Sequence, residues 1–488
     1  MYSFDVCIIG TGIAGLTTAI KLSEQNPSLQ IACFSKERKK ETNTRLAQGG
    51  IACVIDKEDD FELHIQDTLK AGKYKNNTEV VQLVVQNSPN CINTLIEWGV
   101  PFNRNKSGQL ALGLEGGHSK NRIVHVNDYT GKAIQDVLIK KSQLYPNIHF
   151  FTNQIVFEII SINQQVVGFY SFDNQKQEIS TFKSSFVVLA TGGMGHFFNK
   201  STNSVYATGD GIILAHQVGA DIKNLNSIQF HPTALYEKRK KKLFLISEAV
   251  RGYGAHIVNK KGERFLFQYD ERGELATRDI ISKAIYQEMK KNNEKCVYMD
   301  LKHLQHFSEE FPMIAQELID KGFSIKEDLI PIVPAAHYQC GGINVNTNAQ
   351  TNIKNLYAVG ECSETGLHGL NRLASNSLLE AFVYAGQCSK HILSEINDNN
   401  HKPLEFSFKK YTIENKISKI HQKILLLHKE YLKSFGLNEI PDDLKNKIIN
   451  LIQEINKTFK KNKFSLSFHN DKNILELILL LENQTYRF

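Results

Sequence analysis

Eight cysteines are spread over 488 residues, yet no two of them stand as C-x-x-C. That absence excludes zinc ribbons, iron–sulfur ligation and a disulfide scaffold as organising features, and no metal site is expected. Cys7 and Cys33, set in apolar strand text, read as small core residues. No apolar run reaches the roughly 18 to 20 residues that cross a bilayer. The first residues open on a strand, with neither a basic n-region nor a small-residue cleavage site, so a cytosolic location and no membrane partner are expected. Charge of one sign scarcely accumulates: the net value is +7, and the dense run Lys238-Arg239-Lys240-Lys241-Lys242 has no interleaved aromatics. It reads as a solvated loop between two strands, and nucleic acid is not an expected partner. A hydrophobic content of 41% with 22% charged residues is ordinary for a globular protein. The length is too great for one core and suggests two to four units.

What is present begins with a cofactor signature. Residues 4–9 form a short apolar strand, followed by Gly10-Thr11-Gly12-Ile13-Ala14-Gly15. Leu16, Ala19, Ile20 and Ser23 then recur at helical spacing, and residues 30–34 make a second strand. In a β-α-β unit the glycines of G-x-G-x-x-G permit a tight turn and the close approach of a pyrophosphate to the helix N-terminus. The second strand ends in Ser35-Lys36, not in the acidic residue usual for a ribose hydroxyl, which weighs against NAD in particular.

Further on, residues 155–162 and 166–172 alternate as a hairpin, and residues 185–190 form a buried strand ending in Thr191-Gly192-Gly193. Thr208-Gly209-Asp210-Gly211 leads a helix through Ala220. A late strand at 356–359 ends in Gly360-Glu361 and feeds a helix after Ser375. The cofactor domain therefore reads as discontinuous, residues 1–224 and 334–400, interrupted by residues 225–333. Beyond about 401 glycine nearly vanishes, and Ile417, Ile420, Ile424 and Leu427 keep helical spacing. Residues 401–488 thus read as a C-terminal helical domain of about three helices.

Five islands in the second half offer cations or hydroxyls suited to carboxylates: His231-Pro232-Thr233, Ser247-Glu248 with Arg251-Gly252, Arg278-Asp279, His337-Tyr338 ahead of Gly341-Gly342, and Asn371-Arg372. A redox cofactor beside two His and two Arg points to redox chemistry on a small dicarboxylate. Taken singly, such residues are more often surface or capping groups, and Arg278 could simply pair with Asp279 or Glu274.

These pieces, in this order, resemble the succinate dehydrogenase and fumarate reductase flavoprotein superfamily and, within it, the L-aspartate oxidase family. The superfamily signals are Gly10 to Gly15, Gln48-Gly49-Gly50-Ile51, Ala190 to Gly193, Gly209 to Gly211, His231 to Thr233, Glu248 with Arg251-Gly252, His337-Tyr338 and Asn371-Arg372-Leu373. Closer to the oxidases are Glu115-Gly116-Gly117-His118-Ser119, Arg122 with His125, Glu271 to Leu275, and Cys340 before the glycine pair.

The resemblance implies a Rossmann-like α/β FAD-binding domain, interrupted by an α+β capping domain and followed by the helical domain. It implies oxidation of L-aspartate to iminoaspartate with oxygen or fumarate as acceptor, the first step of NAD biosynthesis by the quinolinate route, with quinolinate synthase as the implied partner. By family position Arg278 is the acid/base group, with Glu248 and Arg251 on its proton path. His231, Ser247, His337 and Arg372 bind carboxylates, and Glu115 takes the substrate ammonium, a group that succinate lacks. Gly10, Thr11, Gly12, Ala14, Gly15, Lys36, Asn43, Thr44, Gln48, Gly49, Gly50, Val156, Asp210, Glu361, Ser377 and Leu378 are matched to FAD. Dehydrogenase and reductase subunits carry a flavin-linking His five residues before Gln48; here Asn43 stands there, so the resemblance implies a noncovalent cofactor. The family's Arg-rich closing segment is missing or degraded in residues 482–488. The second reading is a soluble fumarate reductase or succinate dehydrogenase-type flavoprotein. A third is the membrane-docked electron-transfer subunit of a respiratory complex, which Asn43 and the short C-terminal region disfavour.

Overall fold

Val6, Cys7, Ile8 and Ile9 are all buried, and a strand that is apolar on both faces belongs inside a parallel sheet. A computed structural model, describing residues 1–37, 42–397, 408–413, 421–434, 442–458 and 463–482, places it there. Strand Tyr2–Ile9 pairs in parallel with Ile31–Phe34 on one side and Glu178–Leu189 on the other. Ile148–Phe151 extends the first edge, while Leu356–Ala358 pairs in parallel with Glu178–Leu189. The hairpin Gln154–Ile162 and Gln165–Asp173 continues the sheet in antiparallel sense. Helix Ile13–Gln25 packs against the long helix Asn376–Asn397, so the first and the late segments share one core.

Two expectations need correction. The strand expected at 185–190 is Glu178–Leu189, because the mixed text of residues 178–183, which has no continuous apolar run, pairs with residues 168–173. The helix expected to reach Ala220 stops at Gln217. Gly219 turns left-handed at φ +91°, and its N–H and that of Ala220 donate to the carbonyls of His216 and Ala215, each at 2.9 Å. That paired pattern satisfies the last carbonyls of the helix and ends it.

Between these halves, Ile228–Leu235, Leu329–Gln339, Val297–Asp300 and His256–Val258 form a four-stranded antiparallel sheet. It has its own core, with Ile257, Ile281, Met299, Ile314 and Ile330 fully buried. Helices Glu248–Gly252 and Arg278–Lys291 stand beside it. Near the C-terminus, helices His421–Ser434, Asp442–Thr458 and Leu466–Glu482 bury Ile424, Leu427, Ile448 and Ile478 against the main core. Ile417, Ile420 and residues 483–488 lie outside the described residues. Among the described residues, no helix is long and apolar enough to cross a membrane.

Candidate active site

The turn after Tyr2–Ile9 has no room for a side chain. Gly10 sits at φ +122°, and a Cβ there would lie 2.0 Å from the Ala190 carbonyl oxygen. Helix Ile13–Gln25 begins without a side-chain cap and without an acid in its first turn, so its positive end faces the cleft unneutralised. Thr44 Oγ1 accepts from the Ile13 N–H at 3.0 Å and ties the next segment to this turn. The other residues matched to FAD, from Gly10, Thr11, Gly12 and Ala14 through Lys36, Asn43, Thr44, Gln48, Gly49, Gly50, Val156 and Asp210 to Glu361, Ser377 and Leu378, line the same cleft. Gly15 does not. A Cβ there would lie 2.1 Å from the Gly10 carbonyl oxygen, so this glycine lets the helix pack on the turn behind the cleft.

The cleft's polar groups are pre-set. Lys36 pairs with Asp210, and Lys36 Nζ donates to Thr208 Oγ1 at 2.7 Å. Burial pushes the Asp210 carboxyl up, but Lys36, His469 and Thr208 together outweigh it and hold the group below its ordinary value. Asn43 Nδ2 donates to Glu361 Oε2 at 3.3 Å, and Asn43 Oδ1 accepts from the Ser204 N–H at 2.8 Å. Among the described residues, Gln48 Oε1 and His231 Nε2 are buried without a hydrogen-bond partner. A glycine turn at an open helix end, followed by a buried polar cleft with unmet acceptors and donors, fits the pyrophosphate and ring system of a flavin dinucleotide.

At the far end of this cleft the carboxylate-seeking islands meet. Arg278 is the first residue of helix Arg278–Lys291. It donates through Nε to Glu248 Oε2 at 2.5 Å and through Nη1 to Gln229 Oε1 at 2.9 Å. It does not pair with Asp279 or Glu274, which take Lys73 at 3.2 Å and Arg264 at 2.7 Å. Glu248 Oε1 faces Arg251 Nη2 at 3.0 Å, and Arg251 Nη1 donates on to the Glu274 carbonyl. Arg251 therefore lies behind the cleft wall, at the end of a row Arg278–Glu248–Arg251. Burial pushes Glu248 up, and the two guanidiniums reverse this and hold it below its ordinary value.

His231 and His337 face each other with ring centroids 4.9 Å apart. Thr202 Oγ1 holds His337 Nδ1 at 2.8 Å. Burial, then Arg278, pushes both imidazoles well below their ordinary value, so they are neutral. Ser247 lines the cleft and caps helix Glu248–Gly252, its Oγ accepting from the Ala249 N–H at 3.3 Å. Arg372 donates to Ser377 Oγ at 2.7 Å and to Gln229 Oε1 at 3.3 Å, and its guanidinium lies 4.3 Å over the Tyr338 ring. Burial, then Arg278, lowers Arg372 to about 10. Among the described residues no carboxylate pairs with it.

Glu115 lines the wall next to Gly49 and accepts from Ser375 Oγ at 2.5 Å. Burial, then Glu248, raises its carboxyl above the ordinary value. The segment carrying it is pinned by Arg122, which is fully buried and pairs with Asp59 at 2.8 Å and Asp67 at 2.5 Å. Sequence reasoning missed Gln229, Thr202 and Ser375. Gln229 bridges both arginines while its Nε2 donates to Asn371 Oδ1 at 2.8 Å and to the Arg372 carbonyl at 2.7 Å. Its only signal in the sequence is its place two residues before His231.

The FAD binding domain family matches residues 5–378. The solved quinol–fumarate reductase of E. coli superposes with a TM-score of 0.81 at 29% identity, covering 98% of this chain and 86% of that one. A second quinol–fumarate reductase, solved with menaquinol molecules, gives 0.85 at 28%, covering 99% and 89%. Fold and cleft thus define a flavoprotein of the FAD-binding class. The L-aspartate oxidase of Acinetobacter baylyi is 40% identical over 412 residues, 82% of this chain and 75% of the relative. That of Clostridium acetobutylicum is 42% identical over 396 residues, 80% and 88%. The chain belongs to the L-aspartate oxidase family.

Proposed function

We propose that this chain oxidises L-aspartate to iminoaspartate with noncovalently held FAD, passing electrons to oxygen or fumarate, as the first step of NAD biosynthesis in the cytosol. The observation that carries the reading is a buried carboxylate, Glu115, in the same wall as two neutral imidazoles and two guanidiniums. A dicarboxylate needs the cations; only a dicarboxylate that also bears an ammonium needs the acid. Arg372, His337, His231 and Ser247 receive the two carboxylates. Glu115 receives the ammonium, whose charge offsets the cost that burial imposes on this acid. When bound, FAD supplies the acceptor for the hydride leaving Cα. Arg278 sits where a proton is exchanged with substrate, and Glu248 and Arg251 form the row along which it moves. Gly10 to Ala14 and the start of helix Asn376–Asn397 hold the pyrophosphate and flavin ends. Lys36, Asp210, Val156 and Glu361 serve the remaining groups.

In this reading residues 1–224 with 334–400 bind FAD and residues 225–333 cap the substrate end, while helices His421–Ser434, Asp442–Thr458 and Leu466–Glu482 of the C-terminal region brace the cofactor domain. The unstable imine product calls for an acceptor enzyme, and quinolinate synthase is the proposed partner. Glu115 separates this reading from the competing one, a soluble fumarate reductase. Anaerobic mixing of the flavin-loaded protein with L-aspartate or with succinate decides between them. L-aspartate is expected to bleach the flavin within the catalytic time and succinate not to; the reverse order would sink the proposal.

A further inference from the structure

Arg372 is a buried cation whose partners are a hydroxyl, an amide oxygen and an aromatic face. Such a guanidinium is free to receive a substrate carboxylate, but something else must fix its plane while it waits. Beneath it, Tyr338 points its hydroxyl into a closed polar cluster. Tyr338 OH donates to Glu380 Oε2 at 3.1 Å, His368 Nε2 meets the same oxygen at 3.0 Å, and Thr365 Oγ1 donates to Glu380 Oε1 at 2.5 Å. Glu380, His368, Thr365 and Tyr338 are all buried, and nothing in the aspartate chemistry above uses them.

We propose that Glu380, acting through Tyr338, is a positioning residue that fixes Arg372 for substrate carboxylate binding, an inference that rests on the carboxylate-binding role given to Arg372 above. Three observations support it. First, Ser377 and Glu380 are three residues apart on helix Asn376–Asn397, so they share one helix face. One rigid element thereby holds Arg372 twice, directly through Ser377 Oγ and from below through Glu380 and Tyr338. Second, the phenol donates to a carboxylate, which enriches the ring that faces the guanidinium and strengthens the cation–π contact. Burial, then Glu380 and Glu361, pushes Tyr338 well above its ordinary value, so it keeps the proton it donates. Third, the other charges around Arg372 cannot do this work. Arg278 repels it, and Glu361 is occupied by the Gln339 N–H at 3.1 Å and by Asn43 at 3.3 Å. Glu364 is held by Asn224 at 3.1 Å.

The test uses the flavin-loaded full chain and two variants, Tyr338→Phe, which deletes only the hydroxyl, and Glu380→Gln, which keeps shape and removes charge. Succinate affinity is titrated through the flavin absorbance, and KM and kcat are measured with L-aspartate. Each variant is expected to weaken succinate binding and raise KM about tenfold while kcat stays within about twofold. The double variant should be no weaker than the weaker single, because both changes cut one chain of contacts. A folded, flavin-loaded Tyr338→Phe with unchanged succinate affinity and KM overturns the inference, whether or not Glu380→Gln folds. So do penalties that persist in an Arg372→Leu background. If Arg372→Leu itself leaves succinate affinity intact, the carboxylate role of Arg372 fails and takes this inference with it. If Arg372→Leu weakens binding but Tyr338→Phe does not, this inference alone fails.

Discussion

Glu115 and Glu248 are buried in one wall, and their surroundings push them apart: Glu115 up through burial and Glu248, Glu248 down through Arg278 and Arg251. Two acids held at opposite protonation tendencies are suited to two tasks. In the proposed chemistry Glu248 serves as the ionised relay, and Glu115 gains its full charge against an arriving ammonium. Glu115→Gln keeps the shape and removes that charge. It is expected to lower kcat/KM for L-aspartate roughly ten- to a hundredfold, matching the value of a charge-assisted hydrogen bond. Fumarate carries no amine, so its reduction with an artificial donor should hold or improve; an equal fall in both would show that Glu115 only shapes its loop. Arg278→Leu removes the group that touches Glu248 and Gln229. Turnover with either substrate should fall more than about a hundredfold. Bound FAD should persist, and a variant within tenfold of the parent would make Arg278 structural.

At the scale of elements, the glycine turn between strand Tyr2–Ile9 and helix Ile13–Gln25 is the least forgiving piece. Gly10→Ala puts a carbon 2.0 Å from the Ala190 carbonyl oxygen at a backbone angle that L side chains rarely adopt. The purified variant is expected to carry less than about a tenth of the parent's flavin by absorbance, since the proposed reading sets the pyrophosphate at this helix end. A fully yellow variant would displace the pyrophosphate from that turn. This turn was legible in the sequence because strand, glycines and helix follow one another within 25 residues. The carboxylate islands were legible too, since His and Arg announce their chemistry wherever they fall. Gln229, Thr202 and Ser375 were not. Each is neutral and common in type, and each acquires meaning only from what it touches: Gln229 two arginines, Thr202 an imidazole, Ser375 a buried acid. The early end of helix Asp210–Gln217 was written in Gly219, but only the left-handed backbone there made it a stop. The mixed stretch 178–183 gave no strand pattern of its own; its pairing with residues 168–173 created one.

At the scale of the whole molecule, burial leaves an unusual set of neutral imidazoles. His118, His196, His428 and His469 are lowered to about 4, and His64, His231 and His337 well below their ordinary value, burial being the first cause in every case. Unfolding returns each to an ordinary value near 6.5, so between about pH 4 and 6.5 the unfolded chain binds more protons than the folded one. Stability is therefore lost as pH falls through that window. Glu115, Asp128, Glu361, Glu364 and Asp471, raised by burial, pull the other way, but they are outnumbered. Thermal unfolding is expected to move down by several degrees from pH 7 to pH 5; a flat or rising midpoint would contradict the burial of these rings. Asn43 carries a different consequence for the molecule in a cell. Its amide is held by Glu361 and Ser204, and an amide forms no histidyl bond to a flavin. With FAD held noncovalently, as proposed, the working fraction follows mass action: half the molecules are loaded when free FAD equals its dissociation constant. Loading also steadies the fold, by about 2.7 kcal/mol at a hundred times that concentration. A shortage of flavin would thus be felt twice, as lost turnover and as faster loss of the protein itself.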